Sequence, residues 1–341
     1  MRLQSVSILV PAILGITILT VRLLFWPNPT LAPSTTDVYL PQSETRSEPL
    51  PESKLTLFFA GDIMLARGVE WRIGIEGLDY PLGEMTTIIE SADLAIGNFE
   101  GTIREAQNVE PGSTMAFDTT PTIAQMVVDS GFDILSLANN HGDDFGPNVT
   151  TYTRDTLTSL GALPVGDPIA SASHVTRVDQ HDFALSFIGY HAFGEEWSTI
   201  AQAITQEKAA GRFVIVLPHW GPEYIATPHT SAEVEPAHVF VDAGADLVIG
   251  GHPHVIQSIE TYNGVPIIYS LGNFLFDQDW SVPTQQGMTA FVTLTQDDIT
   301  IDFSTVQVTK QKTTPMPVEE SEALLATYDI PVTLTLPRNI Q

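Results

Sequence analysis

The chain has 341 residues and carries 41 acidic against 14 basic side chains, a formal charge of -27. Such a surface repels phosphate backbones, which argues against nucleic-acid binding, and it admits an anionic substrate only where a metal supplies local positive charge. Cysteine is absent, which excludes disulfides, zinc–thiolate sites, thiol nucleophiles and a lipoprotein anchor, while a hydrophobic content of 43% is ample for one large domain with accessories.

At the N-terminus, Leu3 to Val21 is almost wholly apolar and is flanked by Arg2 and Arg22. About 20 apolar residues cross a bilayer as a helix, so residues 1–26 are expected to form a single membrane anchor. No A-x-A site follows, so an uncleaved anchor is preferred to a cleaved signal peptide. The expected location is the cell membrane, single-pass, with the globular body outside the cytoplasm. Residues 27–53 hold six prolines and no glycine, the composition of a stiff, solvated tether. The expected folded domain covers 54–310, and 311–341 is expected as a C-terminal tail.

Within the body, six apolar, β-prone runs each end in a cluster of Gly, Asp, Asn, Glu or His. The endings are Gly61-Asp62, Gly97-Asn98-Phe99-Glu100, Asn139-Asn140-His141, His219-Trp220-Gly221, Gly251-His252-Pro253-His254 and Gly272-Asn273-Phe274. A seventh strand, Phe183 to Ile188, leads into Gly189-Tyr190-His191. Helical segments are expected over Pro81 to Ser91, Pro121 to Ser130 and Asn148 to Leu160. Thr120-Pro121 and Gly146-Pro147-Asn148 serve as starts, and Gly131 and Gly161 as stops. Strand alternating with helix at this spacing means βαβ units around a buried sheet. Met288 to Thr295 and Ile299 to Val308 alternate in polarity and read as an antiparallel hairpin at a sheet edge or in a second sheet, and Glu319 to Ala326 reads as a short helix.

In an α/β protein the ligand site gathers at the carboxyl ends of the strands, so these polar endings converge in space. Asp, Asn, Glu and His together are ingredients of a site for a divalent metal. His252 and His254 in Gly-Gly-His-Pro-His can both be aimed inward by a turn, with the glycines letting backbone approach an ion closely. Asp62 is a metal ligand or a helix cap; Asn140 offers a carbonyl oxygen as a ligand. His141 is placed to act as general acid, with Asp143 and Asp144 close enough in sequence to orient its imidazole. His219 is a ligand or a packed histidine beside Trp220. Glu100 can bridge or bind the ion, Asn98 competes with it for that role, and Asn273 is a further candidate.

These motifs resemble the CapA family of poly-gamma-glutamate capsule biosynthesis. GDIM, GNFEG, NNHGDDFG, HWGPEY, GADLVIGGHPHVIQ and IIYSLGNFLFDQ carry the likeness, over roughly Leu55 to Gln278. The resemblance implies a domain similar to calcineurin-like metallophosphoesterases, an α/β fold of four layers, α-β-β-α, with two mixed sheets. It implies metal-ligand roles for Asp62, Asn140, His219, His252 and His254, and a leaving-group role for His141. It also implies a metal-dependent hydrolase-type site holding one or two ions of Mn, Zn or Fe. The substrate would be an anionic polymer or a phosphoester, and the partners the membrane and other polymer-synthesis proteins. Two positions depart from the phosphoesterase pattern: Met64 stands where that pattern has a histidine, and Asn98 where it has a bridging aspartate. The departures point to a single ion, or to a remodelled pair bridged by Glu100; the alternatives are a non-catalytic scaffold of a polymer-synthesis complex or a generic phosphoesterase.

Overall fold

The computed structural model describes residues 53–104, 115–168, 175–194 and 196–338. Its first strand, β1 (Leu55–Ile63), is a run of Leu, Phe and Ala that is buried on both faces, as a central strand requires. After it come α1 (Arg67–Glu76), α2 (Thr86–Ile89), β2 (Leu94–Phe99), β3 (Thr102–Ile103), β4 (Asp118–Thr119), α3 (Pro121–Asp129), β5 (Ile134–Ser136) and α4 (Pro147–Leu160). The middle of the chain supplies β6 (Leu163–Val165), β7 (Thr176–Gln180), β8 (Phe183–His191), α5 (Trp197–Ala209), β9 (Phe213–His219), α6 (Glu235–Asp242) and β10 (Leu247–Ile249). The remainder is β11 (Ile259–Tyr262), β12 (Val265–Ile268), β13 (Asn273–Leu275), β14 (Gln286–Leu294), β15 (Asp298–Thr309), β16 (Lys312–Pro315), α7 (Val318–Thr327) and β17 (Thr333–Pro337).

Among the described residues two large sheets form. One has nine strands in the order β16-β15-β14-β1-β2-β5-β6, with β13 also on β1 and β17 on β15; the other has six in the order β11-β12-β10-β9-β8-β7. β1, β2, β5 and β6 run parallel, as do β8, β9, β10 and β12, so their carboxyl ends point the same way within each sheet. The fold is therefore α/β. Side chains alternate between faces with period two. Leu57 and Phe59 of β1 share a buried cluster with Leu185, Phe187, Ile215 and Leu247 from the second sheet. Phe58 and Ala60 instead join a cluster with Val69 of α1, Val127 of α3 and Leu157 of α4. A third cluster unites Val214 and Val216 of β9 with Ile204 of α5 and Phe240 of α6.

Helix ends follow the local signals. The Thr120 side chain accepts the Ile123 N–H and caps α3, and Gly161 closes α4 in the left-handed conformation. The helix expected over Pro81 to Ser91 shortens to the four residues of α2, because Gly83 lies in a turn that donates its N–H to the Asp79 carbonyl. The expected hairpin is β14–β15, but it lies inside the nine-stranded sheet rather than at an edge, since β14 pairs with β1. β16 and β17 both pair with β15, and Leu325 of α7 packs into the cluster shared by the two sheets.

The expected single-pass membrane location is corrected. Among the described residues no helix is long and apolar enough to cross a membrane. The longest, α4, has 14 residues against the roughly 20 that a bilayer demands. The expected anchor, Leu3 to Val21, and the proline-rich tether lie outside the described residues.

The strand ends meet so closely that side chains have no room. A Cβ on Gly61 would lie 1.9 Å from the Gly272 carbonyl oxygen. Gly61→Ala is therefore expected to destabilise the fold by about 3 kcal/mol, an overpacking penalty, measured as a lowered urea midpoint at unchanged slope.

Candidate functional site

Asp62, Asn98, Glu100, Asn140, His141, His219, His252 and His254 come from the carboxyl ends of strands or the turns that follow, Asn273 opens β13, and the structure brings these sequence-predicted residues into one cluster. Asp62, the penultimate residue of β1, is fully buried. Its Oδ1 accepts the Asn98 Nδ2 at 2.8 Å, and its Oδ2 accepts the backbone N–H of His252 at 3.1 Å. The same Oδ2 lies 3.2 Å from His254 Nδ1. Gly251 is required for this approach, because a Cβ there would sit 2.6 Å from Asp62 Oδ1.

The turn after β10 aims both histidines inward by an uncommon backbone route. His252 has φ 96° and His254 φ 57°, both in the region that non-glycine residues seldom visit. Each such residue costs on the order of 1–3 kcal/mol and persists where its surroundings fix it. Here they do. His252 Nδ1 lies 3.0 Å from His219 Nε2, and His219 Nε2 lies 2.7 Å from Asn140 Oδ1. His254 Nδ1 also lies 3.0 Å from Asn273 Oδ1, whose Nδ2 is held by Gln278 and the Thr284 carbonyl.

Glu100 completes the centre from just beyond β2. Its Oε1 is buried with no hydrogen-bond partner and lies 3.6 Å from His254 Nε2 and 4.0 Å from His141 Nε2. Burial pushes the Glu100 carboxyl well above its ordinary range; the charge of His254 opposes that shift and the charge of Asp62 adds to it. Burial alone would depress His254, yet Glu100 and Asp62 together raise it to about 9. His252 goes the other way, held down to about 3 by burial and by its neighbour His254, and burial likewise keeps His219 well below its usual value. The centre thus contains two buried carboxyl groups with the His254 imidazole between them, and two further imidazoles, His219 and His252, whose charged forms burial disfavours. Donor atoms of Asp62, Glu100 and His254 lie within 4.8 Å of one another, a spacing that can hold a metal ion, and so do those of Glu223, His252 and His254.

Asn98 presents its amide nitrogen to this centre. Nδ2 lies 2.8 Å from Asp62 Oδ1, 3.4 Å from Glu100 Oε2 and 3.3 Å from His219 Nδ1, while Oδ1 accepts from Asn139 Nδ2 at 3.0 Å. The reverse orientation would set a carbonyl oxygen against two carboxylates. His141 is oriented by Asp144, whose Oδ2 lies 2.9 Å from Nδ1, and not by Asp143. Its ring stacks on Phe117 at 3.8 Å, and Asp144 also accepts the Phe117 N–H at 2.7 Å.

Comparison with known proteins agrees with this arrangement of motifs. Residues 56–278 match the family described as bacterial capsule synthesis protein PGA_cap. The chain belongs to this family. It is 30% identical to the capsule biosynthesis protein CapA of Bacillus anthracis, over 78% of this chain and 70% of that protein. It is also 30% identical to the PGA biosynthesis protein CapA of Bacillus subtilis, over 67% of this chain and 64% of the relative. A Mycobacterium tuberculosis protein named "Probable polyglutamine synthesis accessory protein" is 26% identical over 62% of this chain and 61% of its own. The last two matches thus cover just under two thirds of the relatives' length.

Within this PGA_cap chain, sequence reasoning missed several residues that face or support the centre. Glu223 and Tyr224 follow β9 on the Gly221–His229 loop, and the Tyr224 ring lies 6.0 Å from that of His254. Glu223 stands in the HWGPEY motif, so its position was available, but its exposed carboxylate carried no strand-end signal. Glu233 is buried in a π-helical turn, Thr230–Val234, and closes the loop by accepting the His229 N–H and packing against Gly221, where φ is 76° and a Cβ would meet its carboxyl at 2.3 Å. A π turn that buries a carboxylate is invisible to helical or strand periodicity.

Burial raises the Glu233 carboxyl above its ordinary value of 4.5. A carboxyl raised on folding costs nothing while protonated, and its penalty grows as pH climbs from the unfolded value through the folded one. Glu233→Gln removes that penalty. The variant is expected to match wild type near pH 4 and to be more stable by about 1 kcal/mol at pH 8, measured by urea unfolding at the two pH values.

Proposed function

We propose that this PGA_cap protein carries a metal-dependent hydrolase-type centre acting in capsule-like polymer synthesis, on an anionic polymer or a phosphoester-like substrate. The observation that carries the reading is the unpartnered Glu100 Oε1, buried against Asp62 and His254. A buried carboxylate oxygen without a donor is costly, and a cation is the partner that this set of oxygen and imidazole donors suits. Spacing supports the fit at a second position. Donors around an ion at about 2.1 Å are separated by roughly 3.0–3.4 Å, and His252 Nδ1 lies 3.0 Å from His219 Nε2.

Asp62, Glu100 and His254 would hold one divalent ion (Mn, Zn or Fe). His219, His252 and Asn140 would complete the site or hold a second ion, with Glu223 reaching it from the loop. The bound cation supplies Lewis-acid polarisation of the bond to be cleaved and acidifies water. The chain's own residues supply the rest. Asp144 fixes the His141 proton on Nδ1, so Nε2, 4.0 Å from Glu100 Oε1, is the nitrogen that delivers or takes a proton at the reacting group. Phe117 holds that ring in plane. Asn98 steadies Asp62 and His219 through its amide. Asn273 does the same for His254.

The three buried clusters support the finer reading of the fold as a metallophosphoesterase-like sandwich of four layers, α-β-β-α, with helices outside each sheet and one core between them. A scaffold without turnover is the second reading. The observation favouring it is Met64, which occupies the position of the phosphoesterase histidine yet is buried in the helix-facing core, its sulfur accepting the Ala66 N–H. Partners in either reading are other proteins of polymer synthesis, by analogy with relatives named for that process.

Elemental analysis of the purified full chain separates the readings. At least one divalent ion per chain is expected, falling at least about tenfold in His252→Ala; metal-free protein after incubation with manganese, zinc or iron would favour the scaffold. With turnover in hand, Asp144→Asn is expected to lower kcat by about 10–100-fold while metal content stays at the wild-type level. Equal kcat would remove His141 from the proton-transfer role.

A further inference from the structure

Arg67 is the first residue of α1, shortly after the strand that carries Asp62, and its backbone is left-handed with φ 53°. A long side chain in that conformation is a strained placement that the surroundings must fix. Asp277 fixes it from one side. Its carboxylate pairs with the Arg67 guanidinium, accepts the Gly68 N–H at 3.0 Å and fills the space where a Gly68 Cβ would sit. Two aromatic rings fix it from below. The guanidinium carbon lies 4.5 Å from the centre of the Phe117 ring and 5.9 Å from that of Phe276.

Those rings belong to the site already described. Phe117 stacks on His141, and Phe276 packs on His254 with ring centres 4.7 Å apart. Arg67 is thus seated on the residues that back two histidines of the centre, and its positive charge acts on both Glu100 and Tyr224. Among the described residues the guanidinium has one hydrogen-bond acceptor, Asp277, and the side chain is 35% exposed while Asp277 is 15% exposed. A guanidinium has five N–H donors in a rigid fork that matches a carboxylate or phosphoryl group. Among the described residues, the N–H groups that Asp277 does not take have no protein acceptor, and the side chain is part-exposed.

We propose that Arg67 is the specificity residue that binds an anionic group of the substrate, a carboxylate or a phosphoryl, beside the strand-end centre. The assignment rests on the reading of that centre as a hydrolytic site, and it answers a problem set by composition. A protein of charge -27 needs a fixed cation to admit an anionic chain and to set its register against the reacting bond. Stacking on aromatic rings pre-organises the fork, so little side-chain freedom is lost on binding.

The test is calorimetric titration of the full chain with inorganic phosphate and, separately, with a γ-linked glutamate oligomer, alongside elemental analysis of each sample. Arg67→Lys keeps a cation for Asp277 and loses only the planar fork. It is expected to weaken binding about tenfold or more, with metal content unchanged, and Arg67→Gln to weaken it further. Loss confined to phosphate assigns a phosphoryl group; loss confined to the oligomer assigns a carboxylate. Affinities within about twofold of wild type for both titrants in a folded Arg67→Lys chain, or no binding of either by wild type, would overturn the proposal. Arg67-dependent binding by a metal-free wild type would leave it standing while removing the metal reading.

Discussion

The carboxylate of Asp62 is the knot through which the strand ends are tied. One oxygen takes the Asn98 amide at the end of β2, and the other takes the His252 backbone N–H and the His254 imidazole from the turn after β10. Its own backbone N–H donates to the Gly272 carbonyl before β13. Four segments from both sheets therefore meet at one buried charge, and a buried charge must be fully partnered to be tolerated. Glycines at 61, 251 and 272 make the meeting possible by leaving out side chains that would collide. The arrangement of every other group in the centre follows from this junction.

Charge sets the second constraint. Asp62 and Glu100 are buried side by side in a strongly acidic protein, and the histidine between them is raised in pKa. His219 and His252 are forced neutral by the same burial, which leaves their ring nitrogens as donors or acceptors rather than as cations. A centre with neutral imidazoles, two buried carboxyl groups and an unpartnered carboxyl oxygen is chemically suited to a cation. Around it, aromatic rings under His141 and His254 carry a guanidinium at the rim. Carboxyl groups thus lie at the base of the site and a guanidinium at its edge.

Strand endings were legible because alternation and glycine placement are local properties. Each of the strands β1, β2, β9 and β10 carries its apolar run and its polar terminus within a few residues, so the candidates at 62, 98, 100, 219, 252 and 254 could be read directly. The N-cap at Thr120 and the helix stop at Gly161 were legible for the same reason. What could not be read was pairing. Asp143 and Asp144 are adjacent in sequence, and only the turn geometry directs Asp144 to His141. Glu233 reaches the loop after β9 through a π turn, and Phe117 reaches His141 from the residue just before β4, so neither has a sequence period to betray it.

By itself, the sequence determined the α/β class, the inventory of donors and their positions at strand ends, because these follow from hydrophobic period, glycine and local polarity. Tertiary structure alone decided which donors share an ion-sized space, which imidazole lies between the two buried carboxyl groups and which guanidinium lies on the wall. Those outcomes depend on sheet register, on left-handed turns at His252, His254 and Arg67, and on burial, each a sum over segments far apart in the chain.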